Sequence, residues 1–528
     1  MVASLRRLGG LFTNPAAVAM VAAGAAVSVL HLVALGTAPP GLYNDEASVG
    51  YNAWAIAHHG VDEHGVGFPL YFQAFGEYKD PLYIYTLAPF TWVLPLTAYT
   101  TRLPSALFGL ATIGLLGLVA WRLTRSHAVT TVMVLTAGLV PWLFGESRLA
   151  FQASSLVFCT VLALWCLVHA VENGSWRWFA GAGFALGLSV YSYGPARLWV
   201  AMSTVVLLLS FGVSDRRCRY WWASLVGIVV SYGVLLQWSQ RHPGALLARF
   251  EGVSITYGDA SIPTIVWRFV GNYLQYTGLP FLFTEGDYRS PRNSSGYGGM
   301  LFVMLLPVVV MGLVTCVRHW RQPLSRLALL GLITAPVPAA LTAEATPQSL
   351  RASLSLPFLL LVMVYGWEAL WPLLRSGRSW MVAAAAVASI EGGGYLVDLF
   401  VAYPDRSAVA FDSGEGDAIV RAHDAAAGHT LLVSSSLDQP YIQALFRLQP
   451  DPTAYAEQGL AVLQMRVTAP ADMAASSEPG DVLLLAPGDR PPSGSSVLFD
   501  QTLTLTRHTA QVGLPDQRTV VVATAYHR

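Results

Sequence analysis

Lysine is nearly missing from this chain. Lys79 is the only one in 528 residues, against thirty arginines. Charge of either sign is scarce as well: 12% of side chains are charged, about half the ~25% carried by soluble domains. With 54% hydrophobic residues and a mean hydropathy of +0.49, an ordinary water-soluble domain is excluded. The formal net charge is zero, so the basic footprint of a nucleic-acid-binding protein is absent. Four cysteines (Cys159, Cys166, Cys218, Cys316) lie in or beside apolar runs, without the spacing of a metal knuckle or a disulfide framework. No internal repeat is visible, which weighs against an inverted-repeat transporter.

What the chain has is apolar runs long enough to need lipid. A bilayer takes ~20 residues per helix and leaves no water to satisfy backbone groups, so spans must be helical. Eleven runs qualify, near 15–36, 103–121, 128–144, 150–170, 178–193, 197–212, 220–238, 299–317, 326–342, 352–372 and 379–401. The first follows Arg6 and Arg7; its length and the weak cleavage site in "GTAPPGLYNDE" read as a retained span rather than a signal peptide. With a cytoplasmic N-terminus, the inside segments carry Arg6/Arg7, Arg122/Arg125, Arg177, Arg216/Arg217/Arg219, Arg318/Arg321/Arg326 and Arg375/Arg378, as the positive-inside rule requires. Two long loops then lie outside, 37–102 and 239–298. Counting the run 81–96, "PLYIYTLAPFTWVLPL", as a span would reverse every later loop, so it is read as a helix at the outer interface, where Tyr83, Tyr85 and Trp92 suit the polar boundary.

From about residue 404 the composition turns polar. "HTLLVSSS", "DVLLLAP" and "RTVVVATA" read as buried strands, and "GEGDAIVRAHDAAA" and "QPYIQALF" as helices. The expected architecture is a polytopic helical membrane domain, 1–403, followed by a small extracytoplasmic α/β domain, 404–528. That domain shows no GxGxxG, P-loop or nucleophile motif.

The residues that could do chemistry gather in the two long loops. Asp45 and Glu46 follow the first span directly and open a segment of helical spacing, "EASVGYNAWAIAHHG". Either Asp45 or Asn44 could cap that helix; the functional alternative is a carboxylate held at the membrane surface as a general base. Lys79 stands between Glu77 and Asp80. It reads either as a surface ion pair or as a compact cation for a phosphate, since an ammonium on a flexible stem differs from the planar arginine fork. His58, His59 and His64 with Asp62 and Glu63 are a weak metal candidate, because adjacent helical histidines diverge by ~100°. Glu391, beside three glycines in a predicted span, is the one feature that suits a proton pathway.

The stretches "YNDEASVGYNAWAI", "FPLYF", "EYKDPLYIY" and "RLPSAL" together resemble the first outer loop of the GT-C glycosyltransferases. More closely, they look like the bacterial relatives of protein O-mannosyltransferases and of the aminoarabinose transferases that modify lipid A. "PFLFTEGDYRSPRNSSGYGGM" and "PVPAALTAEATPQSLRASLSLP" resemble later segments of the same families. There are two departures. The usual E-K-P-P-L reads Glu77-Tyr78-Lys79-Asp80-Pro81-Leu82, and a histidine expected ahead of Arg351 is Gln348.

The resemblance implies an inverting transferase with its active site outside the bacterial plasma membrane. It would take a sugar from a polyprenyl-phosphate donor to a protein hydroxyl, a lipid-linked glycan or a cell-wall polysaccharide. No cofactor is expected, and a divalent metal is not favoured. Asp45, with Glu46, is the expected catalytic carboxylate; Lys79, Arg102 and Arg351 are the expected contacts of the donor phosphate. Tyr43, Tyr83, Arg148, Glu285, Asp287, Arg292 and Gln348 are the remaining expected substrate contacts; His58 and His64 are the metal candidates. A transporter or flippase of lipid-linked sugars and a non-catalytic envelope scaffold remain the rival classes.

Overall fold

The computed structural model describes residues 15–214, 216–246, 248–258, 260–507 and 516–528. Arg6 and Arg7, the first basic cluster expected inside, lie outside the described residues. The chain divides into two compact units: 1–33 with 105–396, and 34–104 with 397–528.

The first unit is helical. Among the described residues eight helices of the chain are long and apolar enough to cross a membrane: Pro15–Leu32, Ala98–Thr124, Ala153–Asn173, Pro195–Gly212, Arg216–Arg241, Pro323–Ala340, Ser355–Arg375 and Arg378–Ser407. Two shorter apolar helices, His127–Leu139 and Val303–Arg318, and a helix at Trp176–Ser189 fall on three further runs of the sequence reading. In lipid no hydrophobic drive pulls apolar helices together, so close association depends on small residues that let backbones touch. Gly183 and Gly187 supply this on Trp176–Ser189: a Cβ on Gly183 would run into the Ser224 carbonyl, and one on Gly187 would meet the Gly227 carbonyl at 2.6 Å, both on helix Ser224–Arg241. Gly312 and Gly366 do the same for Leu306–Arg318 against Ser355–Arg375, each facing a carbonyl of the other helix (Val362 and Val308). Faces turned away from the bundle stay apolar: Ile390 is 71% exposed and Trp380 66%, the pattern of side chains that meet lipid. Glu391, the proton-pathway candidate, instead accepts a hydrogen bond from the Met304 backbone N–H (3.1 Å), within the turn Val303–Leu305 that leads into helix Leu306–Arg318.

The second unit combines the first long loop with the C-terminal region. The loop forms helix Asn44–His59, a hairpin of β1 (Phe72–Ala74) and β2 (Glu77–Lys79), and helix Pro81–Val93. Phe75 and Gly76 join the two strands with φ of 54° and 76°, the two-residue left-handed turn that matches strand twist. The C-terminal region is a five-stranded sheet of order β4-β3-β5-β7-β6: β3 (Leu431–Ser434), β4 (Met465–Thr468), β5 (Val482–Leu485), β6 (Ser496–Arg507) and β7 (Asp516–His527). β4, β3 and β5 run parallel; β7 is antiparallel to β5 and β6. The three strands and two helices expected from sequence are present as β3, β5, β7, Glu415–Ala426 and Pro440–Leu448.

The two parts of this unit share a single core. Leu42, Ala47, Tyr51 and Leu96 of the loop are buried with Ile419, Leu431, Val433, Ile442, Leu445, Val482 and Ala523. Polar ties reinforce it: Gln443 Nε2 donates to the Leu42 carbonyl (2.8 Å) and to Asn44 Oδ1 (3.0 Å), Asn44 Nδ2 to the Asp438 carbonyl (2.7 Å), and the Tyr51 hydroxyl to the Pro450 carbonyl (3.0 Å). Gly50 allows a close approach, since a Cβ there would lie 2.6 Å from the Phe446 ring.

Candidate active site

Glu46 and Arg102 fix the loop. Arg102 emerges near the start of helix Ala98–Thr124 and, like Glu46, is fully buried. Its Nε and Nη2 grip the Glu46 carboxylate in a fork at 2.8 and 2.7 Å. The remaining N–H groups go to the carbonyls of Leu35 (3.3 Å), Pro39 (2.7 Å) and Gly41 (3.0 Å). Five donors thus meet five acceptors, the condition under which a buried charge is tolerated. Glu46 also reaches back to the Tyr43 backbone N–H (3.3 Å), half of a capping box. The expectation that Asn44 or Asp45 caps this helix is therefore corrected: Tyr43 is the N-cap residue, and Asn44 and Asp45 are the first two helical positions.

With the cap supplied by Glu46, the Asp45 carboxylate is available for another partner, and that partner is Lys79. The ammonium hydrogen-bonds directly to Asp45 Oδ1. Lys79 ends β2, in register with Phe72 across the hairpin; the next residues, Asp80 and Pro81, open helix Pro81–Val93. The lysine side chain is 11% exposed and lies 4.8 Å over the Phe75 ring, a cation–π contact that steadies it. The Asp45 side chain keeps 36% exposure. Opposite charges, one nearly enclosed and one open, thus meet at the start of the helix that follows the first apolar segment.

Deeper in the loop, Glu63 is fully buried and exchanges two hydrogen bonds with Asn52: Nδ2 donates to Oε2 and the Glu63 backbone N–H to Oδ1, both at 3.0 Å. Burial pushes its carboxyl up to about 8, with the Asn52 bond and the Lys79 charge opposing. His64 Nε2 lies 3.5 Å from the other oxygen. His58 stacks on Trp54 and bonds its carbonyl. Among the described residues no three His, Cys, Asp or Glu side chains converge.

Other expected contacts serve the framework. The Tyr83 ring is buried and its hydroxyl donates to the Thr101 carbonyl (2.9 Å). Arg148, in the helical unit, donates to the carbonyls of Leu30 (3.2 Å), His31 (3.3 Å) and Val33 (2.8 Å). A guanidinium there answers the negative end of helix Pro15–Leu32. Glu146, two residues before Arg148, accepts from Trp142 Nε1 (2.8 Å).

A second polar cluster lies within the helical unit. Asp287 is buried, accepts from the Ser349 backbone N–H (2.9 Å), and burial raises its carboxyl to about 6. The backbone N–H of Gln348, one residue before Ser349, donates to the Tyr276 hydroxyl (3.3 Å). Arg351 is 7% exposed and bonds Thr342 Oγ1 (3.2 Å), the Glu344 carbonyl (2.6 Å) and Glu344 Oε2 (2.7 Å). The structure thus brings Asp287, Gln348 and Arg351 into one neighbourhood. Glu285 is exposed and Arg292 half-buried on the same loop as Asp287. Glu344, absent from the sequence candidates, is the acidic partner that a buried Arg351 requires.

Residues 79–238 match the model of the dolichyl-phosphate-mannose-protein mannosyltransferase family. No curated protein matches the sequence. The structure resembles ArnT from Cupriavidus metallidurans bound to undecaprenyl phosphate, with a TM-score of 0.57 at 14% identity over 95% of this chain and 97% of that one. The chain has the GT-C fold. The apo form of the same ArnT gives 0.56 at 14% identity and the same coverage. The archaeal oligosaccharyltransferase AglB from Archaeoglobus fulgidus, in complex with an inhibitory peptide and a dolichol-phosphate, gives 0.51 at 11% identity over 88% of this chain and 69% of that one. The GT-C architecture with a C-terminal sheet region, expected from sequence, is borne out, and the chain is a multi-pass membrane protein.

Proposed function

We propose that this protein is a GT-C glycosyltransferase that moves a sugar from a polyprenyl-phosphate donor to an acceptor hydroxyl on the extracytoplasmic side of a bacterial plasma membrane. The observation that carries the reading is the Asp45–Lys79 pair, held in a loop that Glu46 and Arg102 fix from within. The family match over 79–238 and the undecaprenyl phosphate bound by the ArnT of like fold support the donor class.

In this reading the acceptor oxygen attacks the anomeric carbon on the face opposite the phosphate. The new C–O bond forms as the bond to phosphate breaks; the phosphate leaves with the electron pair, and the hydroxyl proton passes to Asp45. Negative charge grows on the leaving phosphate, and preorganised cations there usually contribute the largest catalytic effect. Lys79 fits that task as a compact charge on a flexible stem. Lys79 holds an Asp45 oxygen; a donor phosphate that draws the ammonium away uncovers the base as it binds. Arg102 and Glu46 act as positioning residues, because all five guanidinium donors are committed inside the loop.

The test is reconstitution of the purified protein with a polyprenyl-phosphate monosaccharide, measuring consumption of the donor. Asp45→Asn should abolish consumption while the thermal unfolding curve is retained. Full turnover in Asp45→Asn would overturn the reading, and so would an accessible, unchanged Asp45 found on the cytoplasmic face.

A further inference from the structure

A cavity of about 670 Å³ lies inside the second unit, between the β1–β2 hairpin and the C-terminal sheet. It takes no part in the chemistry assigned to Asp45 and Lys79. Its floor is formed by Ser435 and Val467, at the carboxyl ends of the parallel strands β3 and β4. Ligands of open α/β sheets sit in the crevice beyond those ends, where loops fan apart and leave room. The volume falls within the ~300–1,000 Å³ of small-molecule sites.

The chemistry of the wall narrows the occupant. Phe75, Tyr441 and Tyr455 present three rings; Phe75 and Tyr441 stand edge to face at 5.9 Å. Gln73, Gln439 and Asp438 add amide and carboxylate groups able to meet hydroxyls. No arginine or lysine lines the cavity, and the His64 imidazole on its wall stands with the Asp438 carboxylate, so an anionic phosphate head group finds no permanent counter-charge there. Rings that offer a flat apolar face, beside amides and a carboxylate that pair with hydroxyls, suit a neutral pyranose or furanose ring, whose C–H face is apolar and whose rim is hydroxyl. The cavity also adjoins the catalytic pair through one residue: the Phe75 ring on its wall is the ring that Lys79 covers at 4.8 Å.

We infer that this cavity, built jointly by the first outer loop and the C-terminal sheet, is the acceptor subsite and takes neutral sugar residues of a glycan acceptor. The inference rests on the transferase reading and deepens it: the acceptor is a carbohydrate, and the C-terminal region is the element that recognises it.

The experiment is saturation-transfer NMR on the full chain in lipid nanodiscs. The probes are a panel of neutral pyranose and furanose trisaccharides and, separately, a serine/threonine-containing peptide. At least one trisaccharide should bind in the millimolar range. Tyr441→Ala, and independently Gln73→Ala at an exposed hairpin position, should weaken it about tenfold, a difference of ~1.4 kcal/mol. Asp45→Asn should leave it bound, because binding does not need the base. Silence of every trisaccharide up to ~10 mM, binding indifferent to both cavity variants, or binding of the peptide alone would overturn the inference. Failure of donor turnover with trisaccharide binding intact would instead count against the transferase reading, so the two failures are distinguishable.

Discussion

Lys79, the only lysine of the chain, closes on Asp45, the carboxylate at the second position of the helix that follows the first apolar segment. Sequence places these residues 34 positions apart; the hairpin Phe72–Lys79 brings them together. An acid and a cation that hold each other make a pair whose separate removal should affect different steps.

Removing the acid should affect chemistry. Asp45→Asn is expected to lower donor turnover by ~10²–10⁴-fold, the range of a lost general base, with donor binding retained. Turnover and donor binding on the same reconstituted sample are the measurements.

Removing the cation should affect both binding and chemistry. Lys79→Met is expected to weaken donor affinity and to lower turnover together, because the ammonium meets the phosphate before and during departure. Lys79→Arg should recover part of the affinity and little of the rate, since the planar fork cannot sit over Phe75 and reach Asp45 with the same geometry. A fully active Lys79→Arg would remove the special role of the lysine.

The buried pair behind them should affect folding. Arg102→Met leaves the Glu46 carboxyl enclosed without its guanidinium, and Glu46→Gln leaves the buried Arg102 without its carboxylate. Each is expected to cost about 3–5 kcal/mol, whereas the double change Glu46→Leu with Arg102→Met should restore part of it. Thermal unfolding of the three variants checks this.

Glu63 should make stability depend on pH. Its carboxyl binds a proton more tightly in the folded chain, at about 8, than at its ordinary 4.5. The folded state therefore holds the extra proton between those values, and stability falls as pH rises through that window. Glu415, raised by burial to about 8, acts in the same direction. Glu63→Gln should diminish the decline between pH 5 and 8 without removing it, as read from unfolding temperatures across that range.

Helix packing offers a test away from the site. Gly183→Val would push a side chain into the Ser224 carbonyl and should destabilise the helical unit by about 1–3 kcal/mol, the usual cost of overpacking. Gly271→Val, at a helical glycine with nothing within 4 Å, is the control and should be tolerated.

How much of this was legible in the sequence depends on the kind of signal. Apolar runs of membrane length are dense, local and unambiguous, so the helical unit could be read from composition alone. Strands β3, β5 and β7 announced themselves as runs of Leu and Val. β4, "MRVT", is too short and carries Arg466, and β6 begins "SVLFDQTL", which mixes apolar and polar residues as an edge strand does. Both were missed because edge strands lack a doubly buried pattern. Asp45 and Lys79 were visible as chemistry-bearing residues, but their contact was not, because it depends on a left-handed two-residue turn at Phe75 and Gly76. The loop roles of Arg102 and Tyr83 were hidden for a related reason. Sequence shows a cation or a ring, and only the fold shows which carbonyls it answers. The cavity at β3 and β4 had no local signature, being formed by segments some 360 residues apart (Phe75 and Ser435).

The joint core of Leu42, Ala47 and Tyr51 with Ile419, Leu431 and Ala523 has a consequence for biogenesis. The Asp45 segment is made early in synthesis, yet its apolar face stays uncovered until the strand that carries Ala523 has been made. A chain that stops before the C-terminal sheet should therefore leave Leu42, Ala47 and Tyr51 without the residues that bury them.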